Sequence, residues 1–354
     1  MENKEKKLSR AETYADINAV YRSVREEPFE LYGFYCPKEK GNFKRYPDYL
    51  ADVSQGFASH YKRTAGGRVK FSTDSQFIII RSYMSSIERH ILFSMMAAGG
   101  FDLYIDDPET EHSRFCTCLV PSYDTTDGFV NIIRFSDRQM RHFTLYFPLH
   151  SEIYEVELGF EPDALIGKGM KYKNSLPVVY YGSSITQGVN ASRAGNTYPA
   201  MISRRFNMDY LNLGLAGSCR AEEPVIEYLS TLQMGAFVCD YDYNANTLEY
   251  LQETHRKVYD TIRSKNLTVP YIMISRPNFA VDPEGNSKRR DVILDTLRYA
   301  RAEGDKNVYF IDGEGFFRGE FEDCCTDDNV HPNDLGFRLM AESIGCTLGK
   351  LKLK

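Results

Sequence analysis

The hydrophobic pattern of the chain changes character near its middle. Between about Phe71 and Leu158, short apolar or alternating runs are separated by turn-forming residues: FIIIRSYM, HILFSMMA, FDLYIDD, FVNIIRF, HFTLYFPL and EIYEVELGF. Regular short runs divided by sequences such as GG, DDPE and TTDG are typical of antiparallel strands that pack face to face. The first half therefore predicts an antiparallel, jelly-roll-like β-sandwich.

The second half has a different rhythm. Apolar segments (VVYYG, YLNLG, AFVCDYDYN, YIMISRP and VYFIDG) alternate with longer amphipathic ones such as TLEYLQETHRKVYDTIRSKN and RRDVILDTLRYARAEGDKN. Alternation of strand and helix predicts a parallel sheet covered by helices on both faces, an α/β/α arrangement. The polar, glycine-bearing stretch GKGMKYKNSLP marks a boundary. We expect a sandwich domain over 1–165, a linker over 166–176 and an α/β domain over 177–354.

The length and net charge of the chain exclude some classes of function. At 354 residues the chain can form two domains, and its formal net charge of -6 provides no basic field for nucleic acid. The first residues, MENKEKKLSRAETYAD, are charged and polar, and no run reaches the roughly 20 apolar residues of a membrane span. We therefore expect neither nucleic acid nor a membrane as a partner, and a cytoplasmic location.

The sequence also gives no sign of a cofactor or a metal. The turn GSSITQG lacks the lysine of a P-loop and the spaced glycines of a dinucleotide fingerprint. The eight cysteines show no zinc-motif spacing and fit a reducing compartment. We expect chemistry that uses neither a cofactor nor a metal.

Ligands of open parallel sheets gather beyond the carboxyl ends of the strands, so the segments that follow the strands are the first places to search. The first of them, GSSITQG, places Ser183 and Ser184 directly after a buried strand. Either hydroxyl could cap the next helix by accepting a backbone N–H. The alternative is a nucleophile, which requires a base and oxyanion donors at the same sheet edge.

A base is suggested by the segment DNVHPND near the carboxyl end. Asp328 and His331 are three residues apart in a stretch too rich in Asp, Asn and Pro to lie inside a helix. In a turn, this spacing lets the carboxylate accept from one ring nitrogen while the other takes a serine proton. A structural loop histidine is the alternative interpretation.

Taken together, these segments resemble the SGNH, or GDSL-type, serine esterases. GSSITQG resembles the first block of that family, with Ser184 as the nucleophile, and NLGLAGS resembles the second, with Gly217 as an oxyanion donor. DYDYNAN resembles the third block, with Asn244 as its asparagine, and DNVHPND matches the block that contains Asp328 and His331. The motifs occur in the family's order, each after a predicted strand.

The first half adds to this resemblance, and some positions depart from it. GGFDLY, residues 99–104, resembles the GxDLY signature of a β-rich domain that precedes some bacterial members. Ser183 stands where many relatives have Asp, Asp242 replaces the usual glycine of the third block, and Ala245 replaces a frequent Asp. The G-x-S-x-G elbow of α/β-hydrolases is absent, which favours a flatter, more open site.

The resemblance implies a mechanism. Ser184 would attack an ester carbonyl, His331 would take its proton, and Asp328 would hold the imidazole in the required tautomer. The oxyanion would be bound by the backbone N–H groups of Ser184 and Gly217 and by the side-chain amide of Asn244. Neither a cofactor nor a metal takes part.

The sequence indicates the substrate less clearly than it indicates the reaction. A sandwich ahead of an esterase domain, as in carbohydrate-active relatives, favours an acetyl ester on an oligosaccharide. Arg276, after the fourth strand of the α/β half, is a candidate contact for hydroxyls or a carboxylate, with a structural salt bridge as the alternative. Three alternatives stay open: a non-catalytic glycan-binding protein; an esterase, thioesterase or lysophospholipase for lipid-like substrates; and a first half that serves docking or homo-oligomerisation.

Overall fold

The computed structural model describes residues 8–319, 321–351 and 353. They form two compact units, and the chain passes from the first to the second after Lys171, inside the expected linker. Two short segments depart from this simple division. Of the described residues, the first unit contains 8–46, Lys62–Lys171 and Ser192–Gly195, and the second contains Pro47–Tyr61, Tyr172–Ala191 and those from Asn196 onward.

The first unit is the expected antiparallel sandwich. Its two sheets have the strand orders β1-β9-β4-β7 and β10-β3-β8-β5-β6, with β2 paired to β3. Without β2 and β10, one sheet contains β1, β9, β4 and β7 and the other contains β3, β8, β5 and β6, which is the arrangement of a jelly roll. The strands are β1 (Val20–Ser23), β2 (Glu30–Tyr32), β3 (Arg68–Thr73), β4 (Phe77–Ile87), β5 (Phe101–Asp107), β6 (His112–Leu119), β7 (Gly128–Arg134), β8 (Arg141–Tyr146), β9 (Ser151–Phe160) and β10 (Ile166–Gly167).

Alternating side chains form the core between these two sheets. Ile78 and Ile80 of β4 lie in the same buried cluster as Phe71 of β3 and Phe143 of β8. The Phe71 and Phe143 rings stack with centroids 5.3 Å apart. Because apolar burial contributes about 25 cal/mol per Å², the inward positions of the period-2 pattern stabilise the sandwich.

The same alternation explains the GxDLY signature. Phe101 and Leu103 of β5 are buried in the sandwich core, so Asp102 and Tyr104 point to the opposite face of the sheet. There the Arg193 guanidinium donates to Asp102 Oδ2 (2.9 Å) and to the Tyr104 hydroxyl (2.6 Å). Asp102 is fully buried, and this pairing offsets the cost of burying its charge.

The second unit contains the predicted parallel sheet, in the order β12-β11-β13-β14-β15. The chain passes from β11 to β12 on one side of it and then crosses to β13, β14 and β15 on the other side. The direction in which strands are added therefore reverses at β11. In such sheets the binding crevice lies at the carboxyl ends of the strands beside this reversal. The strands are β11 (Val178–Gly182), β12 (Tyr210–Asn212), β13 (Ala236–Asp240), β14 (Tyr271–Ile274) and β15 (Val308–Ile311).

Helices connect these strands, and the last one begins at Asp334. Asn333 caps its first turn by accepting the N–H groups of Leu335 and Gly336. None of the helices in the described residues is both long and apolar enough to cross a bilayer. The helices are α1 (Gln55–Ala58), α2 (Met95–Gly99), α3 (Ser184–Gln187), α4 (Tyr198–Phe206), α5 (Glu223–Ser230), α6 (Leu248–Lys265), α7 (Pro283–Ala302) and α8 (Asp334–Leu348).

Two apolar runs differ from the pattern that predicted them. HILFSMMA was expected within the sandwich strands, but it forms a turn followed by α2, which Ser94 caps by accepting from Ala97 N. Ile91 in that turn is 94 % exposed, whereas Phe93 and Met95 pack against the core of the sandwich, so the run does not have the alternating burial of a strand. AFVCDYDYN continues as a strand only to Asp240, and Asp242–Asn244 then form a 3₁₀ turn.

Candidate active site

The strand β11 ends at Gly182, and α3 begins two residues later at Ser184. A Cβ on Gly182 would approach Thr186 Oγ1 and the Asp240 carbonyl oxygen too closely, which makes glycine necessary at this tight turn. Ser183 caps the helix, because its hydroxyl accepts from Ile185 N (3.2 Å). The capping role therefore belongs to Ser183, and the Ser184 hydroxyl points elsewhere.

The Ser184 hydroxyl lies at one end of a hydrogen-bonded relay. Its Oγ is 2.8 Å from His331 Nε2, and His331 Nδ1 is 2.6 Å from Asp328 Oδ2. The other carboxylate oxygen, Oδ1, accepts the backbone N–H groups of Val330 (3.0 Å) and His331 (2.7 Å). One short turn thus supplies both the imidazole and the group that orients it.

The charge of Asp328 follows from its surroundings. Burial raises the pKa of this carboxyl, but hydrogen bonds from the His331 ring and from two backbone N–H groups outweigh it and lower the pKa below its usual value. An ionised Asp328 accepts from Nδ1–H of His331, which leaves Nε2 as an acceptor for the Ser184 proton. The arrangement is the one needed for general-base activation of a hydroxyl.

The segment after β12, here called the β12 loop (residues 213–219), is fixed against the Ser184 turn. Leu215 N donates to the Gly182 carbonyl (2.9 Å), and Ala216 N donates to Gln187 Oε1 (3.0 Å). Gly217 follows with a φ of +67°, and a Cβ there would meet nothing within 4 Å. The space next to its Cα is therefore open, and its backbone has a conformation that favours glycine.

Asn244 lies at the end of the 3₁₀ turn after β13. Its Oδ1 accepts from Cys219 N (3.2 Å), which ties it to the end of the β12 loop. Because the carbonyl oxygen is used in this way, the amide Nδ2 remains the group that can donate to an oxyanion. The turns that carry Ser184, Gly217 and Asn244 all follow carboxyl ends of neighbouring strands.

The departure at Asp242 has a structural consequence. Arg289 binds Asp242 Oδ1 (2.6 Å) and also donates to the carbonyl oxygens of Asp242 and Ala245. These bonds hold the turn that carries Asn244 from both sides.

Arg276 also pairs with Asp242. Its Nε lies 3.2 Å from Asp242 Oδ1, and its guanidinium stacks over the Tyr243 ring at 4.5 Å. The structural salt bridge, the alternative interpretation, is therefore present. The Arg276 side chain is still 20 % exposed at the sheet edge, and its contact with substrate stays a prediction.

A buried carboxyl next to the serine turn was missed from the sequence. Asp240 Oδ2 accepts from Thr186 Oγ1 (2.9 Å) and from the Tyr198 hydroxyl (3.2 Å). Desolvation and, to a smaller extent, the nearby charge of Asp242 raise the pKa of Asp240 against the two hydrogen bonds, to about 7. The signal available in the sequence was an acidic residue at the end of a fully apolar strand.

We expect Asp240→Asn to change how stability depends on pH. An unfolded Asp ionises near 3.8 and Asp240 in the folded protein near 7. Between these values the folded state binds more protons, so the free energy of unfolding falls as pH rises through this window. Over the whole window the free energy of unfolding falls by on the order of 4 kcal/mol. Asp240→Asn should lack most of this fall, because it has no carboxyl to ionise at this position.

Urea unfolding of the protein at pH 5 and pH 8 measures the part of this fall that lies above pH 5, which is on the order of 3 kcal/mol. Asp291→Asn changes an exposed carboxyl of α7 in the same way and should retain the wild-type dependence. Equal pH dependence in wild type and Asp240→Asn would contradict the prediction.

Across residues 8–319, 321–351 and 353, no group of three or more His, Cys, Asp or Glu side chains is placed to hold a metal ion. The chemistry that the arrangement itself offers is a hydroxyl, a base and N–H donors at one sheet edge.

Comparison with known proteins identifies both halves of the chain. The model of the GDSL-like lipase/acylhydrolase family matches residues 175–348, and GxDLY, the N-terminus of SGNH-hydro-type esterases, matches residues 19–166. None of the curated proteins matches the sequence significantly.

Solved structures resemble almost the whole chain. A protein from Bacteroides ovatus described as a GDSL-like lipase is 28 % identical, with a TM-score of 0.84, over 95 % of this chain and 99 % of its own. The salicylyl-acyltransferase of a tetracycline biosynthetic pathway is 18 % identical (TM-score 0.77, 95 % and 99 %). An acetyl xylan esterase from the rumen bacterium Butyrivibrio proteoclasticus is 13 % identical (TM-score 0.61, 94 % and 98 %). The last two similarities show the fold alone. The chain therefore belongs to the GDSL-like, or SGNH, hydrolases that carry a GxDLY domain at the N-terminal side.

Proposed function

We propose that the protein is a serine esterase that removes small acyl groups, above all acetyl, from carbohydrate hydroxyls through an acyl-enzyme on Ser184. The observation that carries this proposal is the unbroken relay from Ser184 Oγ through His331 to Asp328, with distances of 2.8 and 2.6 Å. A serine hydroxyl is a weak nucleophile near neutral pH, and a base within hydrogen-bond reach removes that limitation.

The reaction then follows two linked steps. Ser184 Oγ attacks the ester carbonyl while its proton passes to His331 Nε2, and the oxyanion accepts N–H groups of Ser184, Gly217 and Asn244. Ser184 is the first residue of α3, where a backbone N–H has no acceptor within the helix. The protonated His331 gives its proton to the leaving alcohol, and a water activated by the same imidazole releases the acid.

The exposure of the site supports a small acyl group on a polar substrate. Ser184 is 8 % exposed, and the side chains of His331 and Asp328 are 20 % and 31 % exposed. Together with the open space next to the Gly217 Cα, these values describe a shallow site that an ester on a sugar ring can approach. A long acyl chain would instead need a deep apolar pocket.

The carbohydrate part of the proposal is supported by similarity. The acetyl xylan esterase mentioned above and a family two carbohydrate esterase from Clostridium thermocellum, solved with cellohexaose, share the fold at 13 % identity each. Acetate release from acetylated xylo-, manno- and gluco-oligosaccharides, compared with nitrophenyl esters of increasing acyl length, tests it. Preference for long chains would refute the carbohydrate assignment and favour a lipid-like or thioester substrate.

Labelling separates an esterase from a non-catalytic glycan-binding protein. A fluorophosphonate probe should modify Ser184 in one-to-one stoichiometry, because attack on phosphorus uses the same activated hydroxyl. Intact-mass spectrometry of wild type and Ser184→Ala reads out the reaction. A wild-type chain that stays unmodified would favour the binding protein.

Asn244→Ala should weaken turnover without abolishing it. The loss of one oxyanion donor commonly costs about 10²–10³ in kcat, and KM should change little because the ground-state carbonyl binds this donor less strongly. Steady-state kinetics on an acetyl ester measures the effect. Asn246→Ala, two residues further on at an exposed position, is the matched control and should behave as wild type; equal effects of the two changes would refute the role of Asn244.

A further inference from the structure

A short segment from the first half of the sequence is part of the second unit. This inserted segment, Pro47–Tyr61, contains α1 and carries Leu50 and Phe57, both fully buried. Ser54 caps α1 by accepting from Phe57 N (3.1 Å), and the His60 ring donates to the Gly56 carbonyl oxygen (2.7 Å). These contacts fix the backbone of the inserted segment.

Gly56 of this segment makes an unusually close approach to the β12 loop. A Cβ on Gly56 would lie nearer than 3.0 Å to Ser218 Oγ and 3.1 Å from Ser218 Cβ. A rotation about χ1 could move the Ser218 hydroxyl away, but it cannot move Cβ, so the backbone of one segment would have to shift by several tenths of an ångström. The backbone of α1 therefore packs directly against Ser218.

Ser218 stands between the two residues that set the oxyanion donors. Gly217 on one side presents its own backbone N–H, and Cys219 on the other donates to Asn244 Oδ1 (3.2 Å), which orients the Asn244 amide. Ser218 is 7 % exposed, and its N–H is held by the Leu215 carbonyl (3.0 Å). A displacement of Ser218 would therefore move both proposed donors together.

We infer that Gly56 is a positioning residue for the oxyanion site. The β12 loop packs against the backbone of α1, and only glycine at position 56 leaves room for the loop in the position where its N–H donors can bind the oxyanion. The inference rests on the proposed esterase function and adds to it a residue from the first half of the chain.

The experiment is a double-mutant cycle on this contact. Gly56→Ala should lower kcat for an acetyl ester by up to about 10-fold with little change in KM, since misplacement by about 1 Å can cost 10²-fold and the shift expected here is a fraction of that. Gly56→Ala combined with Ser218→Gly, which removes both atoms that the new methyl meets, should return kcat to the level of Ser218→Gly alone. A merely structural role would lower the melting temperature and leave the kcat of the folded protein unchanged.

Controls make each outcome decisive. Gly315→Ala adds the same methyl where nothing lies within 4 Å, and it should leave kcat as in wild type. If Gly56→Ala does not fold, Ser218→Thr enlarges the contact from the other side and should lower kcat in the same way. Full activity of a folded Gly56→Ala, or no rescue by Ser218→Gly, overturns the inference. A wild-type chain that is inactive on every ester overturns the proposed function first, and the inference with it.

Discussion

Ser184→Ala should reduce acetyl-ester hydrolysis to the background of the assay. The loss of a nucleophile in a serine–histidine relay can cost on the order of 10⁶ in kcat. The physical reason is that His331 Nε2, 2.8 Å from Ser184 Oγ, then has no hydroxyl to activate, although the proposed oxyanion donors remain. Acetate release by equal amounts of wild type and variant measures the change.

The chain supplies a matched control one residue earlier. Ser183 is fully buried and caps α3, so Ser183→Ala should cost about 1 kcal/mol of stability through the lost cap. It leaves the hydroxyl and the base in place, and most of the activity should remain. If Ser184→Ala kept wild-type turnover in a pure sample, the nucleophile would have to be another residue.

The architecture could be predicted because both halves follow simple periods. Alternating runs such as FIIIRSYM produced sandwich strands, and the fully apolar VVYYG became a central strand of the parallel sheet. HILFSMMA failed because hydrophobicity alone does not distinguish a strand from a turn and a capped helix. The capping serine, Ser94, was the local signal that favoured the helix.

The site could be predicted where motif and topology agree. Ser184 and His331 are 147 positions apart, Ser184 just after β11 and His331 just before α8, and the structure places them in hydrogen-bond contact. Gly56 could not be predicted, because the close approach of its backbone to the Ser218 side chain depends on tertiary packing and leaves no periodic signal. The pairing of Arg276 with Asp242 was equally invisible, since either arginine role fits a polar segment after a strand.

Asp328→Asn should reduce kcat by up to about 10⁴, with KM nearly unchanged. Asp328 Oδ1 accepts two backbone N–H groups, and an asparagine oxygen can keep these bonds. Its NH₂ group would then face His331 Nδ1, where the carboxylate oxygen now lies 2.6 Å away. Two donors cannot share that contact, so the imidazole would have to carry its proton on Nε2.

An imidazole protonated at Nε2 cannot take the proton of Ser184, which is why the tautomer, and not the geometry, is expected to limit this variant. The control is Asp327→Asn, which makes the same change one residue earlier at an exposed carboxylate that accepts from Asn333 Nδ2 (3.1 Å), a bond an amide oxygen can replace. Steady-state kinetics of both variants, together with the rates at which a fluorophosphonate labels Ser184, measures the difference between Asp328→Asn and its control. Equal kcat in Asp328→Asn and Asp327→Asn would show that Asp328 does not hold the tautomer, and His331 would then need another orienting group.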